Sequence, residues 1–175
     1  SLPLWVEASP LYEFLLGLFS YQASQAPDGA AADPSTFVER VDDQASAEVK
    51  QALGELSGCG GLWLTLLGIA RTTPQPHTIE GFVATVGALD PISLRRQMLR
   101  NAGITPSRGF STDDIDEAAA GDVATLERLL GGGEDDLLSF LSRRPEETQE
   151  RLVELMRRVA AEVDLGLDEV MPVLE

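Results

Sequence analysis

The apolar residues of this chain recur mostly three and four positions apart, which is the spacing of amphipathic helices, and the alternating pattern of strands is nearly absent. A capping residue stands directly before a proline at Ser9-Pro10, Asp33-Pro34 and Asp90-Pro91, an order that favours the first turn of a helix. Further helix starts are predicted at Thr78, Ser111, Asp122 and Pro145. The pattern predicts an all-α fold of about nine or ten helices without a sheet, forming a single module over residues 1–175.

Two of the predicted helices are apolar around most of their circumference. The opening helix, "PLYEFLLGLFSY", is interrupted only on one narrow stripe, which consists of Glu13, Gly17 and Ser20. The segment "LWLTLLGIA" at 62–70 is apolar on every face except at Thr65. Because a helix that is apolar all round is a buried one, we expect the second segment at the centre of the core. We expect the opening helix either at the centre as well or in a dimer interface.

The long closing helix, which Pro145 opens, is predicted to be amphipathic. Its apolar stripe comprises Leu152, Met156, Val159 and Val163. Opposite charges four residues apart, Glu147–Arg151 and Glu154–Arg158, favour ion pairs along the helix. The apolar stripe is expected either in the internal core or against a partner, at the shallow crossing angle of helix bundles.

Composition is typical of a soluble globular protein and argues against several kinds of partner. Hydrophobic residues make up 43% and charged residues 24% of the 175 positions, close to globular averages. The net charge of −16 disfavours DNA or RNA binding by the chain alone, because Lys and Arg hold phosphate backbones. No apolar run reaches the roughly 18–20 residues of a membrane-spanning helix, and the start lacks a signal-peptide pattern. We therefore expect a cytoplasmic protein with no membrane partner.

Few residues could carry chemistry. Cys59 in "SGCGG" could be a reactive thiol with His77 as its base, but a lone cysteine before an apolar helix is more typical of a small buried side chain. One Cys and one His exclude an internal disulfide and a thiolate–imidazole metal cluster. The glycines do not form a phosphate-binding loop, because Leu62-Trp63 stands where Lys-Ser/Thr is required. We predict no catalytic residue, no metal site and no cofactor, and residues for an effector remain unassigned.

Three further sets of residues have both a functional and a structural interpretation. Two acidic clusters could bind a divalent cation, but both lie at predicted helix starts, where carboxylates stabilise the helix dipole; they are Asp113, Asp114, Asp116 and Glu117, and Glu134, Asp135 and Asp136. The basic stretch over 95–109 lacks a preceding helix at the three- or four-residue spacing of a helix-turn-helix, so a solvated or interface face is expected for Arg95, Arg96, Arg100 and Arg108. Four residues could line a ligand pocket but are expected in the core: Trp63, Phe82, Met98 and Phe110.

Four segments, taken in order, carry a family resemblance. They are "SPLYEFLLGL" (9–18), "ALDPISLRRQML" (88–99), "EAAAGDVATLERLL" (117–130) and "RRPEETQERLVELM" (143–156). Together they resemble the N-terminal helical region of long ArsR-like winged-helix transcription regulators of high-GC bacteria. The resemblance implies a non-catalytic regulatory domain for dimerisation or effector sensing, with a homodimer and an unknown small-molecule effector as expected partners.

The resemblance also implies that the chain is a fragment of a longer protein, because the sequence contains no winged helix. DNA would then be contacted only through a domain absent from this chain. The alternative is a free-standing acidic helical module that binds another protein. An enzyme is disfavoured, because the sequence offers no convincing nucleophile–base pair or metal constellation.

Overall fold

The computed structural model describes residues 10–25, 36–72, 78–133 and 135–164. Over these residues the chain forms ten α-helices, one short 3₁₀ helix at Pro106–Arg108 and no strand, which confirms the predicted all-α class. The helices are α1 (Pro10–Gln25), α2 (Thr36–Gln44), α3 (Ala47–Glu55), α4 (Gly60–Thr72), α5 (Ile79–Ala88), α6 (Pro91–Asn101), α7 (Thr112–Ala120), α8 (Val123–Leu130), α9 (Asp135–Leu141) and α10 (Pro145–Glu162).

Helix starts follow the predicted capping residues. The side chains of Thr78, Asp90, Ser111 and Asp122 each accept a hydrogen bond from the backbone N–H three residues later, at the start of α5, α6, α7 and α8. These bonds satisfy N–H groups that have no partner within the helix. α1 and α10 begin at prolines, as predicted. The predicted caps Ser9 and Asp33 lie outside the described residues.

The core is centred on α4, which packs against α6 and α1. Gly61 allows the close approach to α6, because a Cβ at this position would lie 2.7 Å from the carbonyl oxygen of Met98. Thr65, expected as the polar interruption of this helix, is instead buried: its hydroxyl donates to the Gly61 carbonyl at 2.6 Å and accepts from the Asn101 side chain at 2.8 Å. Leu64, which is 53% exposed, and Gly68 are open to solvent within this apolar segment, so the prediction of burial on every other face is wrong there.

α1 lies largely inside the core, but its exposed stripe is not the predicted one. Glu13 is exposed as expected, whereas Gly17 is buried, because the ring of Phe37 in α2 occupies the space where a Cβ would stand. The exposed stripe contains Leu16 and Phe19, which are 55% and 45% exposed. Most of the apolar surface of this helix is therefore core, and these two side chains are its large apolar residues that are exposed to solvent.

The apolar stripe of α10 packs within the chain. Leu152, Met156, Val159 and Val163 are all buried. The helix contacts α5 and α6 through this side, and the side-chain amide of Gln149 donates to the carbonyl oxygens of Val86 and Leu89 at 2.9 and 2.7 Å, at the end of α5. Of the two interpretations offered for this stripe, the internal core is the one observed. A partner surface on α10 must lie on another face.

The ion pairs on α10 differ from those that the four-residue spacing predicts. Glu147 pairs with Arg144, and Arg158 pairs with Glu162 and with Glu48 of α3.

Among the described residues, no single helix is long and apolar enough to cross a membrane. α3 and α4 together have the length and composition of a membrane span, but their axes are bent by 100° relative to each other.

Candidate functional site

An open groove with a volume of about 760 Å³ runs along α10, between α3 and α9. One of its three sides is a face of α10, formed by Glu147, Glu150, Arg151, Glu154, Leu155 and Arg158. These residues are three and four positions apart, so they share a side of the helix away from the buried stripe. The second side is α3, with Glu48, Val49, Gln51, Ala52 and Glu55, together with Leu56 directly after the helix. The third side is α9, with Asp136, Ser139 and Phe140, together with Arg143 in the connection to α10.

One end of the groove is fixed by contacts between α3 and the last turns of α10. Arg158 forms ion pairs at 3.0 Å with Glu48 and at 3.1 Å with Glu162. Glu162 in turn accepts a hydrogen bond from the backbone N–H of Ser46, the cap residue of α3, at 2.8 Å. That N–H bond lowers the pKa of Glu162, and the hydrogen bond to Glu48 raises the pKa of Arg158. The start of α3 is therefore held against α10 by charge-assisted bonds.

The other wall is positioned by chain connectivity and by a close contact. Only residues 142–144 separate α9 from α10, so the two helices must lie together. The carboxylate of Asp136 in α9 lies directly against Gly58, where a Cβ would collide with it. Gly58 belongs to the turn after α3, so this contact brings the α9 wall to the end of the α3 wall. The groove therefore has three sides that are tied to one another.

The buried residues of the lining, which we call the groove bottom, are apolar, and its exposed residues are polar or charged. Val49, Leu56 and Phe140 are buried and contribute the deeper surface, while Ala52 and Leu155 are half-buried. Above them the lining carries six carboxylates and three guanidinium groups. An apolar bottom between polar walls is the usual anatomy of a protein-binding surface, in which the apolar part excludes water and the polar rim selects the partner.

The carboxylates of this groove are not all neutralised within the chain. Glu48 is paired with Arg158 and Glu147 with Arg144. Glu150 and Glu154, one turn apart on α10, form no ion pair with any other described residue. The exposed surface of the groove therefore carries an excess of negative charge close to its apolar bottom.

The residues that the sequence suggested for a catalytic pair, a ligand pocket or a metal site do not form such a site among the described residues. Cys59 is completely buried at the start of α4, as expected for a small apolar side chain, and His77 lies outside the described residues. Trp63, Phe82 and Met98 are buried in the core, and Phe110 packs against it. Within the described ranges, no three His, Cys, Asp or Glu side chains are grouped so that they could hold a metal ion.

The first acidic cluster has a structural role in joining neighbouring helices. Asp114 of α7 pairs with Arg128 of α8 at 2.8 Å, and Asp116 pairs with Arg96 of α6 at 3.2 Å. In the second cluster Asp135 and Asp136 occupy the first turn of α9, where their negative charges interact favourably with the helix dipole. Glu134 lies outside the described residues.

The basic stretch over 95–109 does not form one solvated face, because Arg95 is only 1% exposed. Its Nη2 donates to the carbonyl oxygen of Arg143 at 2.7 Å and to the hydroxyl of Thr148 at 2.9 Å, at the start of α10. Nε and Nη1 have no hydrogen-bond partner among the described residues. Burial lowers the pKa of Arg95 to about 10, against the opposing influence of Glu146, so the side chain stays charged at neutral pH.

The sequence analysis missed the burial of Arg95 and the groove itself. Arg95 lies three and four residues before Met98 and Leu99, on the buried side of α6, and that spacing is a signal that could have placed it inside. The groove has no comparable local signal, because its walls lie about ninety residues apart in the sequence.

Comparison with known protein families, with curated proteins and with solved structures found no match for this chain.

Proposed function

We propose that this chain is a non-catalytic regulatory domain of a bacterial transcription regulator, and that it acts by binding a partner in the groove of α3, α9 and α10. The observation that carries the proposal is the groove itself, with an apolar bottom between charged walls. The regulator context comes from the resemblance of four ordered segments to ArsR-like proteins. Those segments overlap α1, α6, the end of α7 with α8, and the first two thirds of α10.

Binding explains the composition of the groove better than catalysis does. Its lining combines carboxylates, guanidinium groups and apolar side chains, and the described lining contains neither Cys nor His as a nucleophile or base of the usual kind. Ser139 is the hydroxyl in the lining, and no imidazole lines the groove to activate it. The runner-up function, a free-standing acidic module that binds another protein, uses the same groove without a DNA-binding domain.

Three further features belong to the same proposal. The net charge of −16 makes this chain a poor DNA ligand, so DNA contact falls to a domain outside it. A homodimer and a small-molecule effector are expected of such a regulator, and a cytoplasmic location follows from its role on DNA. The sequence suggested two dimer surfaces, the opening helix and the apolar stripe of α10. The α10 stripe is buried in the core, whereas Leu16 and Phe19 of α1 are exposed and available for a dimer contact.

A transcription assay with the intact gene product tests the proposal. Ala52→Gln places a longer uncharged side chain in the groove, and Ala124→Gln makes the same change at an exposed position of α8 outside it. We expect Ala52→Gln to change transcription several-fold, at equal protein level, from a promoter that the gene product binds, with Ala124→Gln at the wild-type value. Equal transcription for both variants and the wild type, or a gene product that does not bind DNA, would contradict the regulator proposal.

A further inference from the structure

We infer that the groove binds a cationic amphipathic helix of a partner, with the apolar face of that helix on the groove bottom and its Lys or Arg side chains beside the acidic rim. This inference rests on the proposed binding function and adds the chemical class of the partner. It is supported by the length of the groove, by the positions of its apolar residues and by its distribution of charge.

The dimensions of the groove fit about three turns of helix. The α10 residues that line it extend from Glu147 to Arg158, which corresponds to roughly 16 Å at the helical rise of 1.5 Å per residue. α3 and α9 line its other two sides, so a helix laid in the groove would contact three elements. Recognition of this kind places apolar residues of the partner, three and four positions apart, on an apolar groove bottom.

The position of the apolar surface fixes the orientation of the partner helix. Phe140 from α9, Ala52 from α3 and Leu155 from α10 contribute to the groove from its three sides. A strip of apolar residues one side chain wide can cover them, whereas a partner that is apolar all round would leave apolar surface in contact with the charged walls. The partner must therefore be amphipathic.

The charge of the rim selects a basic partner. Glu150 and Glu154 have no ion-pair partner among the described residues, and Glu55 stands on the opposite wall. Arg143 and Arg151 are the opposing charges of the lining that form no ion pair among the described residues, and the four carboxylates without an ion pair, which include Asp136, outnumber them. The net charge of −16 extends this preference beyond the groove, because it attracts a cationic segment and accelerates encounter.

Fluorescence anisotropy with two synthetic helices tests the inference. Both peptides have about four turns, the same Leu and Ala face and the same length; one carries Lys on its polar face and the other Glu. We expect saturable binding of the Lys peptide that weakens with added salt, and at least tenfold weaker binding of the Glu peptide. Preference for the Glu peptide would overturn the inference.

Two variants with equal net charge separate groove binding from general attraction. Glu150→Lys with Glu154→Lys alters the rim, and Asp43→Lys with Glu127→Lys alters exposed carboxylates elsewhere; each pair changes the net charge from −16 to −12. We expect the rim pair to weaken the Lys peptide at least tenfold and the control pair less than threefold. Equal weakening by both pairs would show attraction without a site and would overturn the inference.

The two proposals can fail separately. If Ala52→Gln alters transcription but the Lys peptide does not bind, the groove is functional and the inferred partner class is wrong. If the Lys peptide binds at the rim but Ala52→Gln leaves transcription unchanged, the partner class stands and the regulator proposal is wrong.

Discussion

The guanidinium group of Arg95 donates a hydrogen bond to the hydroxyl of Thr148 at 2.9 Å, with both side chains inside the protein. This bond connects α6 to the first turns of α10, the helix that lines one side of the groove. No carboxylate among the described residues forms an ion pair with this guanidinium group, and the second acceptor of Nη2 is the backbone carbonyl of Arg143. A buried cation without a paired anion is costly, so the two acceptors must hold it in place.

We predict that Thr148→Val lowers the free energy of unfolding by about 1–3 kcal/mol, because it removes one of the two acceptors of a buried charged donor. Arg95→Met removes the charge itself and is expected to be nearly neutral or stabilising, since a flexible apolar side chain fills the same space without desolvation cost. In the Arg95→Met background, Thr148→Val should then cost much less. Urea unfolding of the four proteins measures this cycle; additive effects would contradict the coupling.

Two glycines of α4 should respond in opposite ways to the same substitution. Gly61→Ala places a methyl group 2.7 Å from the Met98 carbonyl oxygen and 2.9 Å from the backbone nitrogen of Ala102, so α4 and α6 must separate. We expect a loss of about 1–3 kcal/mol of stability from this overpacking. Gly68→Ala meets nothing within 4 Å and should add about 0.5–1 kcal/mol through helix propensity. Thermal unfolding compares them, and a stabilising Gly61→Ala would disprove the close approach.

The attachment of α3 to α10 should weaken in acid. The Ser46 N–H holds the pKa of Glu162 below its ordinary value of 4.5. The unfolded chain therefore binds a proton there more readily than the folded chain, so this stabilisation is full above about pH 4.5 and is lost as pH falls through the lower folded pKa. We expect the amide NMR signal of Ser46 to shift with a midpoint below 4.5. In Glu162→Gln that pH-dependent shift should be absent; its persistence would assign the effect to another carboxylate.

The proposed homodimer makes a prediction about α1. Light scattering at tens of micromolar protein should give twice the monomer mass of 18.8 kDa for the wild type. Leu16→Glu with Phe19→Glu should restore the monomer mass without unfolding, because both side chains are about half exposed. Val123→Glu, at another exposed apolar position, is the control and should leave the dimer intact. A wild-type monomer would exclude the dimer for this chain.

Local features of this fold could be predicted from the sequence, because they depend on neighbouring residues. The caps at Asp90 and Asp122 and the stripe of α10 are of this kind. The exposed side of α1 was not predictable, because the burial of Gly17 depends on a ring that α2 supplies. The groove was not predictable either, since Glu48 and Arg158 meet only after the whole chain has folded.

The central claim is that the groove of α3, α9 and α10 is the binding surface, and an amide NMR titration of the isotope-labelled chain with the Lys peptide tests it most directly. The account predicts saturable shifts that are confined to α3, α9 and the groove face of α10, with Ala52, Phe140 and Leu155 among the residues affected. Saturable shifts centred instead on the exposed residues Leu16 and Leu64, with the groove unchanged, would contradict it.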